Sequence, residues 1–191
     1  MKLLDLTREL SIRAFLRNVH SGTHIEAPAH LLHKGKKIDQ FGLDAFITDA
    51  VVLDLTRKKP GQPIDDEDLE GAEESAGLSV REGEAVILNT QPSNPTNKVA
   101  RSTRNPYLSE NGAQFLEFKR PVIVGTDALN LERRDASDFY AHRILMRGGI
   151  LVLEGLCNID EIGQPRFRLL ALPVRLKATA APVRAAAILE F

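Results

Sequence analysis

The sequence predicts one α/β domain, and three observations carry that reading. Short apolar runs rich in β-branched residues recur along the chain, helical patterns separate them, and Gly or Pro punctuates the joins. Early strand–helix–strand crossovers imply parallel pairing, and the closely spaced runs near the C-terminus imply antiparallel pairing. At 191 residues the chain is long enough to bury one core without disulfide or metal staples, so residues 1–191 are read as a single domain.

The elements follow in order. Residues 50–55 (AVVLDL) form a strand, stopped by Pro60. Residues 65–77 are acidic, place Leu69, Ala72 and Ala76 at helical spacing, and end on Gly77 as a C-terminal cap. Residues 85–88 (AVIL) follow a Glu-Gly-Glu turn as a buried strand. Residues 89–107 contain three prolines and read as a long irregular loop, of the kind that covers or forms a binding site. A helix is predicted over 109–118 with Ser109 as its cap, then a strand over 121–125 that runs into Thr126 and Asp127. A further helix spans 136–146, the Gly148-Gly149 pair turns the chain, and a strand covers 150–154. Late strands are expected over 167–174 and 185–189.

Composition narrows the function classes. Hydrophobic residues make up 43% and charged residues 27%, with a formal net charge of −1, so no electrostatic footprint points to nucleic acid or an anionic membrane. The short basic runs at 57–59 and 101–104 read as solvated loops. Cys157 is the only cysteine, which excludes an intramolecular disulfide and fits a reducing compartment. Charges interrupt the opening MKLLDLTREL before a signal-peptide core can form, and no run approaches the ~18 apolar residues of a membrane span. The expectation is a cytoplasmic globular domain.

The chemistry concentrates in residues 20–30, HSGTHIEAPAH, which hold three of the five histidines. His20, His24, Glu26 and His30 occupy even positions, so an extended segment would put all four on one face. Gly22 and Pro28 argue against a helix here. Imidazoles with a carboxylate suit a borderline divalent ion such as zinc or manganese. Gly22 would let the backbone approach the ion, and Pro28 would stiffen the turn presenting His30. The competing reading is a set of ordinary hydrogen-bonded surface histidines, the role expected for His33.

The same stretch resembles the His-x-Gly-Thr-His-x-Asp-x-Pro-x-His motif of the cyclase family, which includes bacterial kynurenine formamidases and isatin hydrolases. Ala141-His142-Arg143 and the strand ending at Glu154-Gly155 resemble the family's later His and Glu, and the Val124-to-Asp127 and Pro182-to-Ala185 blocks also match. The resemblance implies a swivelling β/β/α fold with a mixed central sheet flanked by helices, and a homodimer or higher homo-oligomer. It implies one or two divalent ions, zinc or manganese. His20, His24 and Glu26 would hold the first, His142 a second, and Glu26 and Glu154 both. His30 would be the proton donor and acceptor in hydrolysis of an amide, formamide or cyclic amide. A metal-dependent cyclase or lyase, or a non-catalytic metal- or ligand-binding homologue, is the alternative. For Glu154 alone, a solvated strand end is the alternative to a ligand.

The chain also departs from the family pattern. Glu26 stands where the motif has Asp, and its extra methylene makes a single-metal site an alternative. Only a dozen residues separate Asp5-Leu6-Thr7 from His20, where family members carry a longer insertion, and the chain contains no tryptophan, which argues against a kynurenine-type substrate. Residues 88–91 (LNTQ) and 178–181 (ATAA) replace family blocks near the substrate site. Gln91, Asn105, Tyr107 and Arg184 are the candidate substrate contacts, each also readable as a purely structural residue.

Overall fold

A computed structural model of the protein describes residues 2–8, 19–91, 105–133 and 135–189. The main sheet contains β1 (Lys2–Asp5), β2 (His24–Glu26), β3 (Ile47–Asp54), β5 (Ala85–Asn89), β7 (Ile123–Thr126), β8 (Leu151–Glu154), β9 (Arg166–Pro173) and β10 (Ala180–Leu189), in the order β1-β10-β2-β8-β7-β5-β3-β9. In this sheet β3, β5, β7 and β8 run parallel and the late strands β9 and β10 pair antiparallel, as the sequence implied, and its other pairings are antiparallel too. Strand β9 also pairs with β10, so seven strands close on themselves and leave no free edge among them. A two-stranded ribbon, β4 (Pro63–Ile64) with β6 (Tyr107–Leu108), lies beside this sheet.

Alternation along the strands divides the core in two. In β5, Ala85 and Ile87 face one apolar cluster with Ile25, Leu151, Leu153, Leu169 and Ala185, contributed by the strands around the barrel. Val86 and Leu88 face the other cluster, with Leu69, Leu116 and Leu145 from the helices. Burial on both faces explains why β5 reads as an unbroken apolar run rather than an alternating one. Each fully buried Leu or Ile contributes about 1.5–3 kcal/mol relative to exposure.

Three helices cover the parallel strands: α1 (Asp66–Ala76), α2 (Glu110–Lys119) and α3 (Tyr140–Arg147). Gly77, at φ 63, ends α1 in the left-handed conformation that the sequence suggested. Ser109 Oγ accepts the Gly112 N–H and caps α2, also as expected. Helix α3 begins four residues later than its periodicity implied, because Phe139 adopts φ 50 and ψ 48 and breaks the helical path.

Strand β10 begins at Ala180, five residues before its predicted start at 185. Its Ala- and Pro-containing first half has weak strand propensity, and pairing with β2 on one edge and β9 on the other holds it extended. Strands β1, β4 and β6 have no counterpart in the sequence reading. Of the long 89–107 loop, residues 92–104 lie outside the described residues, Asn89 ends β5, and Tyr107 belongs to β6. Among the described residues no helix is long and apolar enough to cross a membrane.

Candidate metal centre

The site forms where β2, β8 and α3 meet. The β2–β8 register places His24 opposite Glu154, and alternation turns His24 and Glu26 to one face while Ile25 enters the barrel core. Only His24 and Glu26 are on the strand. His20 reaches the same place from a bend before it, and His30 from the single 3-10 turn Pro28–His30. The shared face expected of one extended segment is therefore assembled from a strand and two turns. His142 enters from the first turn of α3.

Two glycines allow this approach. Gly22 has φ 68 and Gly155 has φ 71, and a Cβ on Gly155 would lie 2.6 Å from the Gly22 carbonyl oxygen. Gly22 thus serves close packing of one backbone on another. Its carbonyl also lies 3.1 Å from His24 Nδ1, which leaves Nε2 directed at the carboxylates. Thr23 Oγ1 ties the two segments by donating to the Gly155 carbonyl at 2.8 Å and accepting from the Arg8 N–H at 2.6 Å.

The donor atoms converge on Glu26. His20 Nδ1 lies 2.5 Å and His24 Nε2 3.4 Å from Glu26 Oε1, while His142 Nε2 is 3.4 Å from Oε2. Glu154 Oε2 lies 3.5 Å from His24 Nε2, and Glu154 Oε1 3.3 Å from His142 Nε2. His30 Nε2 is 3.9 Å from Glu26 Oε2. Among the described residues two groupings lie within 4.8 Å, His20–Glu26–His30 and His24–Glu26–Glu154, which share Glu26. This partition differs from the one that the family resemblance implies, since His20 groups with His30 rather than with His24.

Two observations test whether these residues fit a cation. Among the described residues Glu26 Oε2 is buried without a hydrogen-bond partner, a costly state for a carboxylate that a cation would relieve. Most of the N···O separations, 3.3–3.5 Å, are long for a hydrogen bond. They match the spacing of about 3.3 Å between two donors that each sit about 2.0–2.1 Å from one tetrahedral ion. The residues fit a divalent metal.

Charge in the cluster is coupled. Burial pushes the Glu26 carboxyl up, but the facing imidazoles of His142, His20 and His24 outweigh it and hold Glu26 far below the ordinary range. Burial likewise opposes protonation of His24 and His142. The Glu26 hydrogen bond and Glu154 charge still raise His24, and Glu132, Glu154 and Glu26 raise His142 well above 6.5. His30 is partly buried, and that burial lowers its pKa. Its ring centroid lies 4.6 Å from that of His20.

Sequence reasoning missed the supporting residues. Glu132 Oε1 accepts the His142 main-chain N–H at 3.0 Å and lies 3.3 Å from its Nδ1. The Leu131 N–H donates to Glu154 Oε1 at 2.8 Å. Buried Asp127 accepts from Thr90 Oγ1 at 2.6 Å and from the Gln91 N–H at 2.9 Å. No spacing rule marks Glu132, which precedes two arginines and reads as a solvated acid. Of the candidate substrate contacts, Gln91 binds the Asp127 carbonyl, Arg184 forms an exposed ion pair with Asp5 at 2.7 Å, and the Asn105 carbonyl accepts from Gly61. Tyr107 belongs to β6, and His33 is exposed, as expected.

Fold and site together define an α/β protein whose buried histidine–carboxylate cluster is suited to a divalent cation. The family described as "Putative cyclase" matches residues 4–133. A kynurenine formamidase of Salinibacter ruber is 32% identical over 170 residues, covering 88% of this chain and 75% of that protein, and one of Bacillus cereus is 27% identical over 169 residues with the same coverage. The chain belongs to the cyclase family. Isatin hydrolase A of Labrenzia aggregata shares the fold, with a TM-score of 0.83 over 97% of this chain and 93% of that one at 20% identity. A structure described as a potential metal-dependent hydrolase with cyclase activity superposes with a TM-score of 0.76 at 24% identity, covering 97% of this chain and 96% of that one.

Proposed function

We propose that the protein is a metal-dependent hydrolase that cleaves the C–N bond of an amide, formamide or cyclic amide. The observation that carries this reading is the buried Glu26 Oε2, without a hydrogen-bond partner among the described residues and faced by imidazole nitrogens of His30 and His142. The kynurenine formamidase relatives and the isatin hydrolase fold support the bond type. His20, His24, Glu26, His142 and Glu154 would hold one or two ions, with Glu26 common to both groupings. A bound divalent ion would polarise the carbonyl and bring the pKa of water to about 7.

The protein's own residues supply positioning and proton transfer. Burial keeps His30 largely neutral near pH 7, so its imidazole can accept a proton from the attacking water. The water oxygen bonds to the carbonyl carbon, the C–N bond breaks, and His30 returns the proton to the leaving nitrogen. The products are a carboxylic acid and an amine. His30 also stands within ligand distance of the cluster, so its substitution separates the two roles. Loss of turnover with metal content retained marks a proton carrier; loss of both marks a ligand.

Elemental mass spectrometry of the wild type and His24→Ala tests the centre itself. One or two zinc or manganese ions per chain, lost in the variant, are expected. No metal after reconstitution would remove the enzyme reading. On a panel of formamides and cyclic amides, hydrolysis in ¹⁸O-water should place label in the acid, whereas a lyase or cyclase would not. A homodimer or higher oligomer belongs to the same proposal, on the family resemblance, and light scattering of the purified chain tests it.

A further inference from the structure

Helix α3 carries a defect at its start. Its N-cap residue is Phe139, which has no side-chain oxygen and a left-handed backbone, so it offers no cap to the helix N–H groups. The cap comes instead from Glu132, outside the helix. Its Oε1 accepts the N–H of His142, the third residue of α3, at 3.0 Å. The same oxygen lies 3.3 Å from Nδ1 of the His142 ring. An ionised carboxylate only accepts, so this contact holds a proton on Nδ1 and leaves Nε2, 3.4 and 3.3 Å from oxygens of Glu26 and Glu154, as the nitrogen that gives up its proton to a cation.

Glu132 is itself held. It is 5% exposed, and its own N–H donates to Asn130 Oδ1 at 2.6 Å. The neighbouring Leu131 is buried, donates its N–H to Glu154 Oε1 and accepts the Leu108 N–H from β6 at 2.9 Å. One corner of chain therefore touches both the carboxylate of Glu154 and the far side of the His142 ring.

We propose that Glu132 is a positioning residue for the metal centre: by accepting both the main-chain N–H and the Nδ1–H of His142, it locks the ring with Nε2 toward the cation. This rests on the metal-centre reading above. A carboxylate behind a ligating imidazole fixes both ring orientation and tautomer, and losing it costs about 10–100-fold in metal affinity.

Zinc affinity, measured by competition with a chromogenic chelator, is the test. Glu132→Ala should weaken zinc binding about 10–100-fold. Glu132→Gln, which keeps Oε1 as an acceptor, should restore most of that loss. In a His142→Ala background, Glu132→Ala should add nothing, because the ring it positions is gone. Wild-type affinity in Glu132→Ala, or the same loss in both backgrounds, would reduce Glu132 to a helix cap and overturn the proposal. The wild type alone offers a second measurement if Glu132→Ala does not fold. Long-range ¹H–¹⁵N spectra of the zinc-loaded protein should show His142 protonated on Nδ1, and a proton on Nε2 would refute the proposal. A wild type that binds no zinc refutes the metal centre itself, a result separate from either.

Discussion

Stripping the metal should make stability fall as pH rises above 6.5. Surrounding carboxylates raise the pKa values of His24 and His142 in the folded metal-free chain, against the opposing effect of burial, while the unfolded chain titrates near 6.5. A raised folded pKa gives stability that is complete below pH 6.5 and is lost as pH rises through the folded value. In that window the folded state holds up to two more protons than the unfolded one. The slope is about 1.4 kcal/mol per pH unit for each proton, so the metal-free protein should lose up to about 2.7 kcal/mol per pH unit. The lowered His30 has the opposite sign and opposes this slope only close to pH 6.5, where its unfolded imidazole is still part-protonated, and the stability from Glu26 is lost only as pH falls through its depressed folded value.

The metal-loaded protein should behave differently. Ligating imidazoles are already neutral, so folded and unfolded chains bind equal numbers of these protons above pH 6.5 and the curve flattens. Urea unfolding of both forms between pH 6.5 and 9 measures the two slopes. His142→Gln should remove about half of the metal-free slope. A metal-free protein whose stability is flat or rises over this range would refute the argument, as would two parallel curves.

Three further outcomes follow from local geometry. Gly155→Ala combines a left-handed φ with a Cβ 2.6 Å from the Gly22 carbonyl, so it should lose more than about 1 kcal/mol and weaken metal binding through the displaced His24 contact; chemical denaturation and metal titration of one preparation read both. Ser109→Ala should cost about 1 kcal/mol by uncapping α2 while metal content stays unchanged, and a change in metal content would show that α2 is coupled to the centre. Leu153→Ala opens a cavity inside the barrel and should destabilise by about 2–5 kcal/mol; a loss below 1 kcal/mol would mean the barrel interior collapses around it.

Local chemistry was legible without coordinates. The β-branched runs at 50–55, 85–88 and 150–154, the Ser109 cap and the Gly77 stop all appear in the structure near their expected places, because propensity and capping act within a few residues. The spacing of His20, His24, Glu26 and His30 marked the site, since those residue types rarely crowd together without a purpose. His142 and Glu154 came from family resemblance, as nothing local links a helical histidine to a strand-end glutamate.

Tertiary structure decided the rest. Closure of the sheet depends on β10 pairing with both β9 and β2, and a strand of small residues gains its order from those partners and from β1 rather than from its own propensity. Strand β2 is only three residues long and owes its place to β8 and β10. Glu132 was invisible for the same reason. A glutamate beside two arginines reads as solvated until the fold buries it behind His142, ten residues further along the chain, where its carboxylate meets the ring and the uncapped helix together.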